Sequence, residues 1–151
     1  MWNYGIRVGK ETGHHVGILN DDVWLDHRTI LPMSQILDSR RAIAGWDHVH
    51  TNMTELIRVQ HVRGTYRKGG IGGFAFAVNP KLVELIDERF QWWGGDDDLV
   101  NQTRKNGWQV VVGVGLGVIH HYSTSTVQRP VHPDIIAADR ALMLDKWGEA
   151  W

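Results

Sequence analysis

The apolar runs of this chain are short, and two of them stop abruptly against polar side chains. Val16-Gly17-Ile18-Leu19 gives way at once to Asn20-Asp21-Asp22, and Gly115-Leu116-Gly117-Val118-Ile119 to His120-His121. A short apolar run cut off by turn-forming residues reads as a buried strand. Stretches with helical spacing lie between such runs. The alternation requires an α/β domain, a mixed sheet flanked by helices, and excludes an all-helical or all-β chain. With 151 residues, the expectation is one domain over 1–151, large enough to bury a core without disulfide or metal staples.

The pattern predicts strands over 16–19, 56–59, 73–78 and 109–119. It predicts helices over 32–43, 98–105 and 134–146. In the first, Pro32 suits the opening turn, Met33, Ile36, Leu37 and Ile43 recur at helical spacing, and Gly45 can end it. In the last, Ile135, Ile136, Leu142, Leu144 and Trp147 supply the apolar positions. Asn79-Pro80 opens a short helix to Ile86. Residues 1–15, with Gly5, Gly9 and Gly13, read as irregular, as do 46–55, the glycine cluster Gly64, Gly69, Gly70, Gly72 and Gly73, and the Ser/Thr/Pro stretch 123–133.

Sixteen Lys and Arg against seventeen Asp and Glu give no basic excess, which argues against nucleic acid or an anionic membrane surface as partner. The absence of cysteine excludes a disulfide scaffold, thiolate catalysis and Cys-ligated zinc. With no bilayer-length apolar run and no charged-then-apolar leader, the expectation is a cytoplasmic chain. Eight tryptophans are many for this length, and tryptophan supplies flat apolar surface for a ligand as well as for a core.

Three constellations carry chemistry. Asn20-Asp21-Asp22 at a strand end offers oxygen ligands to a hard divalent cation, although acidic residues in such a turn are also ordinary solvated ones. Asp96-Asp97-Asp98 precedes a helix. Helix capping accounts for one or two of the three, while mutual repulsion raises at least one pKa toward neutrality. Trp92 and Trp93 beside them fit a sugar subsite. His120-His121 after a strand can join carboxylates around Mn²⁺, or be a half-exposed pair without a ligand. The glycines of 69–73 lack phosphate-loop spacing and instead allow close backbone approach or a tight turn.

The order of these elements, from about Asn3 to Ser125, resembles the C-terminal half of inverting GT-A glycosyltransferases of the family 2 type. Trp93-Gly94-Gly95-Asp96-Asp97-Asp98 is similar to the Trp-Gly-Gly-Glu-Asp-Asp-Asp segment of related galactosyltransferases. The resemblance implies a truncated GT-A domain that moves a sugar from a nucleotide-sugar donor to an acceptor hydroxyl with inversion. Asn20, Asp21 and Asp22 match the DxD element that contacts the nucleotide diphosphate. Asp22 and His120 match the ligands of Mn²⁺ or Mg²⁺. Gly72, Gly73 and Phe74 match the strand at the donor–acceptor junction, and Asp87-Glu88-Arg89-Phe90 the segment before the catalytic loop. Asp96 takes the catalytic position if Leu99 sets the register, and Asp97 does if Gly94-Gly95 sets it. Trp92, Trp93 and Asp98 match the substrate-binding wall, Ser125 a recurrent serine, and Lys146-Trp147-Gly148 a closing segment. Gly95 stands where the family has Glu, and Asn20 where it has the first DxD acid. The resemblance leaves most of the nucleotide-binding half outside this chain, to be supplied by a homo-oligomer or a second chain. Two other readings use the same inventory: a non-catalytic carbohydrate-binding or assembly module, and a metal-dependent hydrolase.

Overall fold

The computed structural model describes residues 2–49, 53–54, 56–62, 71–121 and 130–149. Six strands form one mixed sheet: β1 (Val16–Leu19), β2 (Val23–Leu25), β3 (Arg41–Asp47), β4 (Arg58–His61), β5 (Ala75–Val78) and β6 (Gln109–His120). The order is β1-β5-β3-β6-β2, with β4 also on β6. The β3–β6 pair is parallel and the other pairs are antiparallel. Four helices accompany it: α1 (Trp2–Thr12), α2 (Ile30–Ile36), α3 (Gly95–Lys105) and α4 (Pro133–Trp147). This is the expected α/β class. None of the described helices is long and apolar enough to cross a membrane.

The core lies in two clusters. One gathers Ile6, Ile18, Ile43, Phe76, Val83, Leu99 and Val110 beneath α1 and α3. The other gathers Met33, Ile36, Leu37, Trp46, Val111 and Leu116 against α2. The interior strand β5 is therefore buried along its whole length, and the central strand β3 nearly so.

Three expectations need correction. Residues 1–15 are not irregular, because 2–12 form α1. Gly9 serves packing: a Cβ there would collide with Val16 and lie 3.1 Å from Pro80 Cγ. Gly13, at φ +75, ends the helix with its N–H on the Gly9 carbonyl. The helix expected over 32–43 stops at Ile36, and 41–47 is strand β3. A strand buried on both faces shows no alternation, and its Ala-Ile-Ala run imitates a helix. Gly45 does not end a helix; it lies within the strand and leaves room for Ile71, whose Cγ2 would be 2.8 Å from a Cβ there. Residues 80–86 make one turn on Asn79, whose side chain accepts the Lys81 N–H, and then run without regular structure. Asn3 takes both the N–H and the carbonyl of Ile86, at 2.8 Å each, in place of helical bonds.

The strand expected over 56–59 lies at Arg58–His61, and the one expected from 73 begins at Ala75. The strands expected over 16–19 and 109–119 and the helices over 98–105 and 134–146 match within a few residues, whereas β2 is a strand the pattern does not predict. Gly64, Gly69, Gly70, Ser125 and parts of the stretches 46–55 and 123–133 lie outside the described residues.

Candidate functional site

Strand registers bring the sequence-predicted residues together. β1 runs antiparallel to β5 with Leu19 opposite Ala75, so Asn20 emerges beside Phe74 and donates its N–H to the Phe74 carbonyl at 2.9 Å. β2 runs antiparallel to β6 with Val23 opposite His120, and His121 N–H bonds the Asp22 carbonyl at 2.9 Å. The turn Asn20-Asp21-Asp22 is thereby clamped between the start of β5 and the end of β6. Asn20 and Asp21 are exposed, while Asp22 is half-buried.

Asp22 Oδ1 lies 3.2 Å from His120 Nε2. The approach is off the hydrogen-bonding line, and this buried oxygen accepts no hydrogen bond among the described residues. The His120 ring stacks on Phe74, centroids 4.2 Å apart and planes 12° apart. The Phe74 ring also meets His48 edge-on at 6.3 Å, just after β3. Phe74 thus joins the carboxyl ends of β1, β3 and β6, the end of an α/β sheet where ligands bind.

The next residue back connects this cluster to the aspartate triplet. A Cβ on Gly73 would collide with Asp96 Oδ2 and sit 2.7 Å from its Cγ. Gly73 therefore lies directly against the Asp96 carboxyl, and Gly72 likewise leaves room for the Phe74 ring. Burial raises the Asp96 pKa, against the lowering effect of its own and Asp97's backbone N–H. Burial first, then the charges of Asp96 and Glu149, push Asp97 up to about 6, against opposition from Arg104.

Asp98 has a different place. It is fully buried, and its oxygens accept from Asp87 N–H (3.0 Å), Gln102 Nε2 (2.6 Å) and Trp147 Nε1 (2.9 Å), with Lys146 Nζ at 2.8 Å. These contacts make it an internal anchor; its expected place on a substrate wall is not where it lies. Asp87 is bound up with it, through Lys146 at 3.2 Å and a two-pronged bond from Arg89 that holds its carboxyl far below the usual range. Trp92 and Trp93 stand out from the preceding loop, 52% and 42% exposed. Trp92 borders a cleft of about 370 Å³ shared with Trp2, Asn3, Glu88, Phe90 and Gln91.

Asp139 and the bridging place of Phe74 emerge only in the structure. Asp139 on α4 is buried and receives the N–H groups of Gln91, Trp92 and Trp93. A signal for it existed in the spacing of Asp139, Met143 and Trp147, at i, i+4 and i+8 on one helical face.

Among the described residues no group of three or more His, Asp or Glu side chains is placed to hold a metal. Asp22 and His120 offer two donors of suitable type, one of them an oxygen without a hydrogen bond. A Mg²⁺-type ion bound mainly through substrate phosphates and water needs only one or two protein ligands, so the pair fits that mode and not a closed protein cage. No protein-family model, curated protein or solved structure matches this chain.

Proposed function

We propose that this chain carries the acceptor side of a metal-dependent glycosyltransferase. The observation that supports it best is the continuity of Asp22, His120, Phe74, Gly73 and Asp96 at one end of the sheet. A donor for a diphosphate-bound cation and a carboxyl of raised pKa then stand at the two ends of one line of contacts. Asp22 and His120 would hold Mn²⁺ or Mg²⁺, which supplies Lewis-acid stabilisation to a departing diphosphate. Asp96 takes the proton of the acceptor hydroxyl. Burial raises its pKa, which makes the carboxylate a stronger base. Trp92 and Trp93 offer apolar faces to the acceptor sugar.

The exposed tryptophan pair by itself favours a second reading, a carbohydrate-binding module without turnover. Calorimetry of the whole chain with nucleoside diphosphates, with and without Mn²⁺, and a transfer assay with sugar-nucleotide donors separate the two. Metal-dependent diphosphate binding that Asp22→Asn weakens supports the transferase. Glycan binding with no metal-dependent nucleotide binding supports the module.

A further inference from the structure

The segment that carries Trp92 and Trp93 leads into α3 through Gly94, left-handed at φ +85, and no side chain caps the helix there. Helix α4 anchors its backbone. Asp139 Oδ1 accepts the Gln91 N–H at 2.9 Å, and Oδ2 accepts those of Trp92 at 2.9 Å and Trp93 at 2.8 Å. Three successive backbone N–H groups converging on one carboxylate form an anion-binding nest, here filled by the protein itself. Further along the same face of α4, Met143 is buried, Lys146 reaches Asp87 and Asp98, and Trp147 reaches Asp98.

Burying a carboxylate is costly unless its oxygens are hydrogen-bonded, and a loop needing only to be covered is covered more cheaply by apolar side chains. Here the carboxylate fixes the backbone of two tryptophans that stay about half exposed. We propose that Asp139 is the positioning residue of the tryptophan platform: it fixes 91–93 so that Trp92 and Trp93 keep a set register to Asp96 at the start of α3. The functional half of this proposal rests on the reading of that platform as a sugar-binding surface.

The test uses the full chain with Asp139→Asn and Asp139→Ala. Asparagine keeps the shape and one accepting oxygen but places an NH₂ group against at least one backbone N–H; alanine removes all three bonds. Amide hydrogen exchange is read at 91–93 and in β3 and β6. Tryptophan emission is titrated with a panel of neutral oligosaccharides of glucose, galactose and N-acetylglucosamine. In Asp139→Ala the 91–93 amides exchange at least tenfold faster than in the parent, in Asp139→Asn by a smaller factor, with β3 and β6 unchanged. Affinity for any glycan that shifts the parent's emission falls at least tenfold in the alanine variant and is partly kept in the asparagine variant. Loop amides that exchange as in the parent overturn the proposal. So does equal acceleration throughout the sheet, or parent-like glycan affinity on a loosened loop. If Asp139→Ala does not fold, Asp139→Asn decides by the same readings. If no glycan shifts the parent, the sugar reading fails, and the positioning role is decided by the 91–93 amides alone.

Discussion

Gly73→Ala tests the contact on which the site depends. Gly73 has no left-handed backbone angle, so alanine meets no conformational penalty there. Its cost comes from the methyl group, which collides with Asp96 Oδ2 and falls 2.7 Å from Cγ and 3.1 Å from Cβ. Rotating the Asp96 side chain removes the first two clashes but leaves the third, because Cβ moves only with the helix. Rotation also gives up the backbone N–H contacts to the carboxyl from Asp96 and Asp97. Overpacking costs roughly 1–3 kcal/mol, and partial escape by rotation places this case at about 1–2 kcal/mol. For a chain of this size each kcal/mol lowers Tm by about 2–4 °C, so a drop of roughly 2–8 °C is expected. Asp96→Ala removes the colliding oxygen and carbon. The double variant should therefore melt closer to Asp96→Ala than additivity allows, with a coupling of at least about 0.5 kcal/mol. Urea and thermal unfolding of the four proteins measure this. A parent-like Gly73→Ala, or simple additivity, would refute the placement of Asp96 against Gly73.

Asp22→Asn should weaken Mn²⁺ binding in calorimetry, whereas Asp96→Asn should leave it nearly intact and lower turnover by roughly 10²–10⁴; damage from Asp97→Asn with a mild Asp96→Asn would move the base by one residue. Asp97, held near 6 in the folded state against an ordinary 3.8, binds its proton more tightly folded than unfolded. Its contribution to stability is complete below about pH 4 and is lost as pH rises through 6. Asp97→Asn should therefore match the parent in urea below pH 4 and exceed it above pH 6, by about 1 kcal/mol after solvent screening; the reverse trend would contradict the raised value. Among the described strands β1 lies at an end of the sheet and pairs with β5 alone, and Leu19 on it is 45% exposed. Such an edge invites pairing, so sedimentation should show self-association that Leu19→Lys reduces, and a clean parent monomer at all concentrations would count against it.

The strands bounded by polar stops were legible because their ends coincide with changes in composition: Leu19 to Asn20, and Ile119 to His120. Asp22 and His120 meet for a reason the pattern did not carry: β1 and β6 are not neighbours, and Asp22 reaches His120 because it immediately precedes β2, which runs antiparallel to the end of β6. β3 was not legible, since a strand buried on both faces carries no period to read. α1 was hidden by glycines, which in sequence look like turns, whereas in the structure Gly9 is a close contact with Val16 and Pro80. α4 was located, but not its inward face. Leu144 is half exposed, while Asp139, Met143, Lys146 and Trp147 face the 87–98 segment. A face built from ionic and hydrogen-bonding groups leaves no apolar stripe for periodicity to detect.

The sheet described above contains no hairpin among its described strands. Even its most local pairing joins Gly45 to Phe76, and β6 is the partner of β2, β3 and β4. Each of those three strands waits, during synthesis, for a segment that ends at His120. Chains dominated by such distant pairings search slowly, with ordering expected on the millisecond-to-second scale. A nascent chain halted before β6 can still pair β5 with β1 and β3, but β2 and β4 have no partner among the described strands until β6 follows.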